Sequence, residues 1–255
     1  MDETERLAAI WARMVAVLQD VVREFNITQD ELHTAAEYLT RAAHAGVMRS
    51  LVDVALSMTS VDAFQQANTT RSNPEGPYYR PGAPIRPDGV LLERPTGETA
   101  KSLTVRGRVT DAESGEPLAN AELDLWQADE CGNYDHVGFH LRGRVRADGD
   151  GAYEFTTLVP AEYTEHDEDP IGELFTALGR HNYRAAHIHL KVHVDGQERL
   201  TTQLYMADAR HIDSDYVIGA VSADLIVNRQ PLDSRKSVAT FDLAVPSPER
   251  PQERR

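Results

Sequence analysis

Twelve residues, Asn73-Pro74-Glu75-Gly76-Pro77-Tyr78-Tyr79-Arg80-Pro81-Gly82-Ala83-Pro84, divide the chain into two stretches of different character. Proline has no N–H to donate and a fixed φ, so four prolines and two glycines in this run forbid a helix or a central strand. A structured linker is expected here. Upstream, apolar residues recur at 7, 10, 11, 14, 15, 17, 18, 21, 22 and 25, a stripe of helical period about five turns long. Thr28 followed by Glu31 has the form of a capping box opening a second helix that runs to Ala45, with Gly46 as its stop. A third helix is expected over 47–66. Three helices with short connections make a layer whose apolar stripes can bury against each other, the rest of the chain or a second subunit.

Downstream, the periodicity changes. Leu103 to Val109 alternates as a half-buried strand does, and Asp111 to Leu118 reads as the turn after it. Ala121–Gln127, Arg142–Arg146, Tyr153–Leu158, Ala185–Val194, Leu200–Met206 and Ser237–Leu243 are further strand candidates. Many short strands separated by Gly and Pro turns read as an antiparallel β-sandwich. The expected fold is therefore α+β: a helical region over 1–72, the linker over 73–100, the sandwich over 101–246 and a flexible tail over 247–255.

Several function classes lack support. A net charge of -15 argues against a nucleic-acid backbone as partner, which needs clustered Lys and Arg. Cys131 is the only cysteine, which rules out intrachain disulfides and agrees with a reducing cytoplasm. The acidic start Met1-Asp2-Glu3-Thr4-Glu5 has no basic segment before an apolar core, so neither a signal peptide nor a membrane span is expected. There is no Gly-rich phosphate loop, Gly-x-Ser-x-Gly elbow or His-Glu-x-x-His.

Chemistry concentrates at His187-Ile188-His189. On a strand, residues 187 and 189 project to one face while Ile188, Leu190, Val192 and Val194 project to the other. Two adjacent imidazoles point to a metal without naming it. His193 shares their face and is the strongest rival ligand. Two upstream segments matter as well: Trp126 to Tyr134, a strand entering a Gly-containing turn, and Thr156 to Tyr163, which contains Pro160-Ala161-Glu162-Tyr163.

Taken in order, Trp126 with Tyr134, Pro160-x-x-Tyr163, and Gly179-Arg180-His181 followed by Arg184-x-x-His187-x-His189 resemble the intradiol ring-cleaving dioxygenases. The resemblance spans nearly the whole chain, including the helices and the Gly76-Pro77-Tyr78-Tyr79 linker. It implies that Tyr134, Tyr163, His187 and His189 bind one Fe(III) per chain. Two hard phenolate donors favour Fe(III), and a bound cation would pull their pKa below the free value. The resemblance also implies that a catechol displaces Tyr163, which then acts as a base. Arg184 and Gln203 would lie close to the substrate, with Leu51, Pro77 and Tyr78 forming its wall. Ring opening by O2 between the two hydroxylated carbons would give a cis,cis-muconate. A homodimer through the N-terminal helices is implied too, and the family sometimes holds a lipid in that interface.

Two departures stand out. The family pattern is Arg-Pro-x-His, whereas this chain has Arg184-Ala185-Ala186-His187, which frees the backbone before the strand and bears on how Arg184 is aimed. The short interval from Tyr134 to Tyr163, with Asp213-Ser214-Asp215, moves the match toward branches acting on chlorinated catechols. Gln203 favours catechols over hydroxyquinol, the alternative substrate, whose product would be maleylacetate. A cupin-type enzyme wants a Glu three or four residues beyond the His pair, and 192–195 contains none. A non-catalytic transthyretin-like sandwich explains the turn at Gly115 to Ala121 but gives the Tyr and His residues no role.

Overall fold

The computed structural model describes residues 2–94, 97 and 100–247. Three helices come first: α1 (Glu3–Phe25), α2 (Gln29–His44) and α3 (Met48–Asp62). The capping box at α2 forms as its sequence predicts: the Thr28 hydroxyl accepts from the Glu31 N–H at 3.3 Å, and the Glu31 carboxylate accepts from the Thr28 N–H at 2.7 Å. Gly46, at φ +74, ends the helix by turning its own N–H and that of Val47 onto the Ala43 and Ala42 carbonyls, each at 3.0 Å. α3 stops short of residue 66. There Gln65 takes over the backbone's role, donating to the Thr69 hydroxyl at 2.6 Å and accepting from the Ser72 N–H at 2.9 Å.

The strands are β1 (Ser102–Asp111), β2 (Glu122–Gln127), β3 (Arg142–Arg146), β4 (Ala152–Leu158), β5 (Tyr163–Thr164), β6 (Tyr183–Arg184), β7 (His187–Val194), β8 (Gln197–Met206), β9 (Ile226–Val227), β10 (Gln230–Pro231), β11 (Lys236–Thr240) and β12 (Leu243–Val245). One sheet has the order β3-β2-β7-β8-β9; the other has β10-β11-β1-β12 with β4 along the free edge of β1. The central ladders are antiparallel, but β1 pairs parallel with β11 and β12, and β8 with β9. The expected strand over 237–243 is two strands, since the Phe241 N–H and an Asp242 carboxylate oxygen bond instead to the backbone of residues 106 and 108 on β1.

The core lies between the sheets. Ile188, Leu190 and Val192 of β7 are fully buried there against Leu123 and Leu125 of β2 and Val105, Val109 and Phe155 of the opposite sheet. Strand alternation sends His187, His189 and Lys191 to the outer face, yet they are buried too, at 1%, 1% and 6% exposure. The linker covers His189 and Lys191. It is docked at both ends, by the Asn73 N–H on Thr201 O and by mutual bonds of Arg86 and Pro84 with Arg144, each at 2.8 Å. In between, Tyr79 packs on Trp126 and donates to Asp124 at 3.0 Å, while the Arg142 guanidinium donates to Tyr78 O at 2.7 Å.

A further helix, α4 (Pro170–Ala177), was not anticipated. Its start is nevertheless written locally: Asp169 caps it by accepting from Ile171 and Gly172, and Pro170 occupies the first turn. α4 joins the helical layer to the sandwich. Tyr38 of α2 donates to Pro170 O at 3.0 Å, and Leu51 and Val54 of α3 pack with Ile171, Phe175 and Tyr216. No helix among the described residues is long and apolar enough to cross a membrane. The expected flexible tail lies outside the described residues apart from Ser247, which donates to Asp111 at 2.7 Å.

Ile188→Ala leaves the outer face untouched but opens a void between the sheets. It should lower unfolding stability by about 2–5 kcal/mol, measured by urea denaturation. A loss below about 1 kcal/mol would contradict this account of the core.

Candidate metal centre

Cross-strand register assembles the site. His187 lies opposite Tyr205 of β8, and His189 lies between Trp126 of β2 and Gln203 of β8. Trp126 stacks on the His189 ring at 4.8 Å and 8°. The Nε2 atoms of the two histidines are 2.9 Å apart. His187 Nδ1 sits 2.6 Å from the Ala185 carbonyl, which can only accept, so that nitrogen carries the proton and Nε2 is left with its lone pair. Burial, reinforced by the nearby Arg184 charge, holds both imidazoles far below their ordinary pKa and therefore neutral.

Two tyrosines close on that pair. Tyr163 on β5 is opposite Arg184 on β6, and its hydroxyl is 3.5 Å from His187 Nε2 and 3.4 Å from the Tyr134 hydroxyl. Tyr134 is carried by the turn after β2. Asp129 organises that turn by accepting the N–H groups of Cys131 and Asn133 at 2.9 Å, and its carbonyl accepts from Ala161 at 3.0 Å. Gly132 is needed here: at φ +84, a Cβ would meet Glu162 O at 2.8 Å and Tyr163 Cβ at 3.0 Å. The turn bearing Tyr134 thus rests directly on the segment bearing Tyr163. Gly76 of the linker also lies close to His189, since a Cβ there would be 3.3 Å from its ring.

The donor set fits a single metal ion. Donors each about 2.0–2.2 Å from one first-row cation lie about 2.9–3.5 Å apart at angles between square and tetrahedral, and the neighbouring donors Tyr134, Tyr163, His187 and His189 span 2.9–3.5 Å. Without a cation, burial pushes both phenols well above their usual pKa. A cation would reverse that and make them phenolates. Among the described residues, no group of three or more His, Cys, Asp or Glu side chains could hold a metal, so a two-His, one-carboxylate site has no candidate. His193 lies past a register shift that skips Arg199 of β8, opposite Glu198, and joins none of these contacts.

Beside the donors, Arg184 is held on three sides. Its Nε donates to both oxygens of Asp215 at 3.0 and 3.3 Å, and its Nη2 donates to Gln203 Oε1 at 2.8 Å and the Tyr205 hydroxyl at 3.2 Å. Burial alone would lower the guanidinium pKa, but Asp215 and the surrounding phenols more than offset it and keep the group cationic. Asp215 also accepts from the Ala185 N–H at 2.7 Å and the Val217 N–H at 2.9 Å. A proline at 185 could not donate that bond. The departure at Ala185 is therefore matched by a third donor to the carboxylate that aims Arg184.

A cavity of about 320 Å³ opens beside Arg184. Gln203 and Pro77 line it, as expected. Tyr78 instead stacks on Tyr134 at 4.3 Å and 20°. The phase of α3 turns Leu51 toward Ile171 and Phe175, and the cavity wall on that helix comes from Ser50, Val54 and Ser57. Tyr205 and Glu165 were not singled out, and Asp215 was noted only within the run 213–215, with no role beside Arg184. Parity along β8 marks Tyr205, which shares a face with Gln203, but nothing local marks the other two. Cys131 is exposed.

Comparison with known proteins gives one answer across the chain. A family described as "Dioxygenase" matches residues 74–246, and one described as "Catechol dioxygenase N terminus" matches residues 4–73. A catechol 1,2-dioxygenase of Candida albicans is 33% identical over 247 residues, covering 91% of this chain and 81% of that protein. A chlorocatechol 1,2-dioxygenase of Pseudomonas putida is 32% identical over 247 residues, covering 94% and 93%. The crystal structure of chlorocatechol 1,2-dioxygenase from Pseudomonas putida superposes with a TM-score of 0.86 at 32% identity, covering 97% of this chain and all of that one.

Asp215→Ala should strand a buried guanidinium and cost roughly 3–5 kcal/mol of stability, measured by urea unfolding. A change below about 1 kcal/mol would mean that Asp215 does not carry the Arg184 charge.

Proposed function

The chain belongs to the intradiol ring-cleaving dioxygenase family, and from that premise we propose that it opens catechol or a substituted catechol with O2 to a cis,cis-muconate. The observation that carries this reading is the convergence of two phenol oxygens and two imidazole nitrogens beside a cavity lined by a fixed guanidinium. Tyr134, Tyr163, His187 and His189 would hold one iron(III), for which two hard anionic oxygens and two neutral nitrogens are a suitable set. When bound, that ion supplies Lewis acidity that draws electron density from the diol.

The chain's own groups supply the rest. We assign one of the diol's two hydroxyl protons to Tyr163 Oη, the phenol oxygen nearest both Tyr134 Oη and His187 Nε2. Arg184 presents a fixed positive charge beside the ring, where carbanion character develops as O2 attacks. Its aim depends on Gln203. That side chain donates from Nε2 to Pro74 O at 2.9 Å, which leaves Oε1 facing Arg184. The linker and Trp126 cover His189 and exclude water from it. In hydroxyquinol a third hydroxyl would be present and the product would be maleylacetate.

A second copy of the chain is the partner we propose for α1. None of its residues is buried, and Leu7, Trp11, Leu18 and Phe25 stand 66%, 67%, 60% and 68% exposed. Apolar patches of that extent mark interaction surfaces. Replacing Trp11 and Leu18 together with Glu should halve the mass measured by light scattering. An unchanged mass, or a wild-type monomer at micromolar concentration, would contradict this.

Oxygen uptake with catechol tests the reaction. Labelled O2 should place both of its atoms in the ring-opened product, and Tyr163→Phe should lower kcat by roughly 10²-fold or more. Incorporation of a single atom, or an unimpaired Tyr163→Phe variant, would refute the assignment.

A further inference from the structure

Three cationic side chains are buried among the described residues: Arg142 at 1% exposure, Arg184 at 3% and Lys191 at 6%. Two of them have carboxylate partners. Asp215 takes Arg184, and Glu75 and Glu198 take Lys191. Arg142 instead directs its donors at carbonyls, Nε to Asp135 O at 3.2 Å and Nη1 to Tyr78 O at 2.7 Å, while its buried Nη2 has no hydrogen-bond partner among the described residues. Its neighbours on β3 show the contrast, since Arg144 and Arg146 both pair with Glu122, at 3.0 and 3.2 Å. Burial lowers the Arg142 pKa on balance, whereas Asp215 and the nearby phenols more than offset burial for Arg184. As a guanidinium it stays cationic all the same. Both of its acceptors flank Tyr134. Asp135 is the next residue in the chain, Tyr78 stacks on the Tyr134 ring, and the guanidinium carbon itself lies over that ring, 5.8 Å from its centroid.

A buried cation without a carboxylate is costly unless other negative charge completes it. The proposed metal centre supplies that charge, because Tyr134 becomes a phenolate when it binds the ion. Resting on that assignment of Tyr134 as a ligand, we propose that Arg142 is a positioning residue of the metal centre, whose guanidinium clamps the turn and the linker around the Tyr134 ring and holds electron density on its phenolate. It does not line the cavity, so it acts through Tyr134 and not on the diol. Its charge is felt through protein, where Coulomb interactions are screened less than in water, and groups behind a ligand in this way orient it and tune the metal. Arg184 does not duplicate the effect, since Asp215 already balances its charge. Charge transfer from phenolate to ion carries an electron away from Arg142, so the cation raises the energy of that transition.

Visible absorption and resonance Raman spectra of the iron-loaded protein test this. Arg142→Met, which keeps an unbranched stem without the charge, should move the phenolate band to longer wavelength. Arg142→Lys, which keeps the charge, should stay close to wild type. In a Tyr134→Phe background, Arg142→Met should leave the remaining band in place. A band unmoved in Arg142→Met overturns the inference. An Arg142→Lys band displaced as far as that of Arg142→Met does so too, because the charge would then be irrelevant, and so does an equal displacement with and without Tyr134. Loss of the folded circular dichroism spectrum in both variants would make Arg142 a residue of the fold and not of the centre, which also overturns the inference. A wild-type protein with no phenolate band overturns the metal assignment and this inference with it, whereas a phenolate band indifferent to Arg142 overturns the inference alone.

Discussion

The structure depends on β7 being held between two neighbours in the middle of a sheet. β2 and β8 pair with it along nearly its whole length, and Ile188, Leu190 and Val192 lock its inner face into the inter-sheet core. A one-residue slip would exchange the two faces, putting the histidines in the core and the aliphatic side chains under the linker. The core therefore fixes the direction of the imidazoles. The same ladder sets Trp126, Gln203 and Tyr205 beside them, so much of the site follows from register alone.

Burying so much polarity requires that nearly every group be matched. Arg184, Asp215, Gln203, Tyr205 and the Ala185 and Val217 amides form one connected set, with Gln203 tied back to the linker at Pro74. Such networks rigidify a site when they are complete. The linker is thus a wall of the centre, and the Pro and Gly content that breaks the chain's regular structure also lets it lie flat over His189.

What could be read from the residues followed local physics. The period of residues 7–25, the box at Thr28 and Glu31, and the strand patterns at 103–109 and 185–194 all depend on near neighbours, and each formed, the last beginning at His187. Tyr134, Tyr163, His187 and His189 were singled out through spacing within motifs, and their side chains converge. The roles of Asp215 and Arg142 stayed hidden because they arise from contacts 31 residues apart in one case, and from a buried nitrogen without a hydrogen-bond partner in the other. Leu51, expected in the cavity wall, packs instead toward Ile171 and Phe175 for a related reason. A helix places one side of a turn toward the cavity and the next toward α4, and that phase is set by tertiary packing. The parallel pairing of β1 with β11 and β12 is likewise a matter of topology that alternation cannot reveal.

The central claim is that Tyr134, Tyr163, His187 and His189 share one ferric ion. Resonance Raman spectroscopy of the iron-loaded protein, excited in its visible absorption band, tests it most directly. The account predicts a red-brown protein with one iron per chain and enhanced phenolate ring modes, changed in each of Tyr134→Phe and Tyr163→Phe and lost when both are replaced. A colourless protein, a stoichiometric zinc content, or phenolate modes indifferent to both substitutions would contradict it.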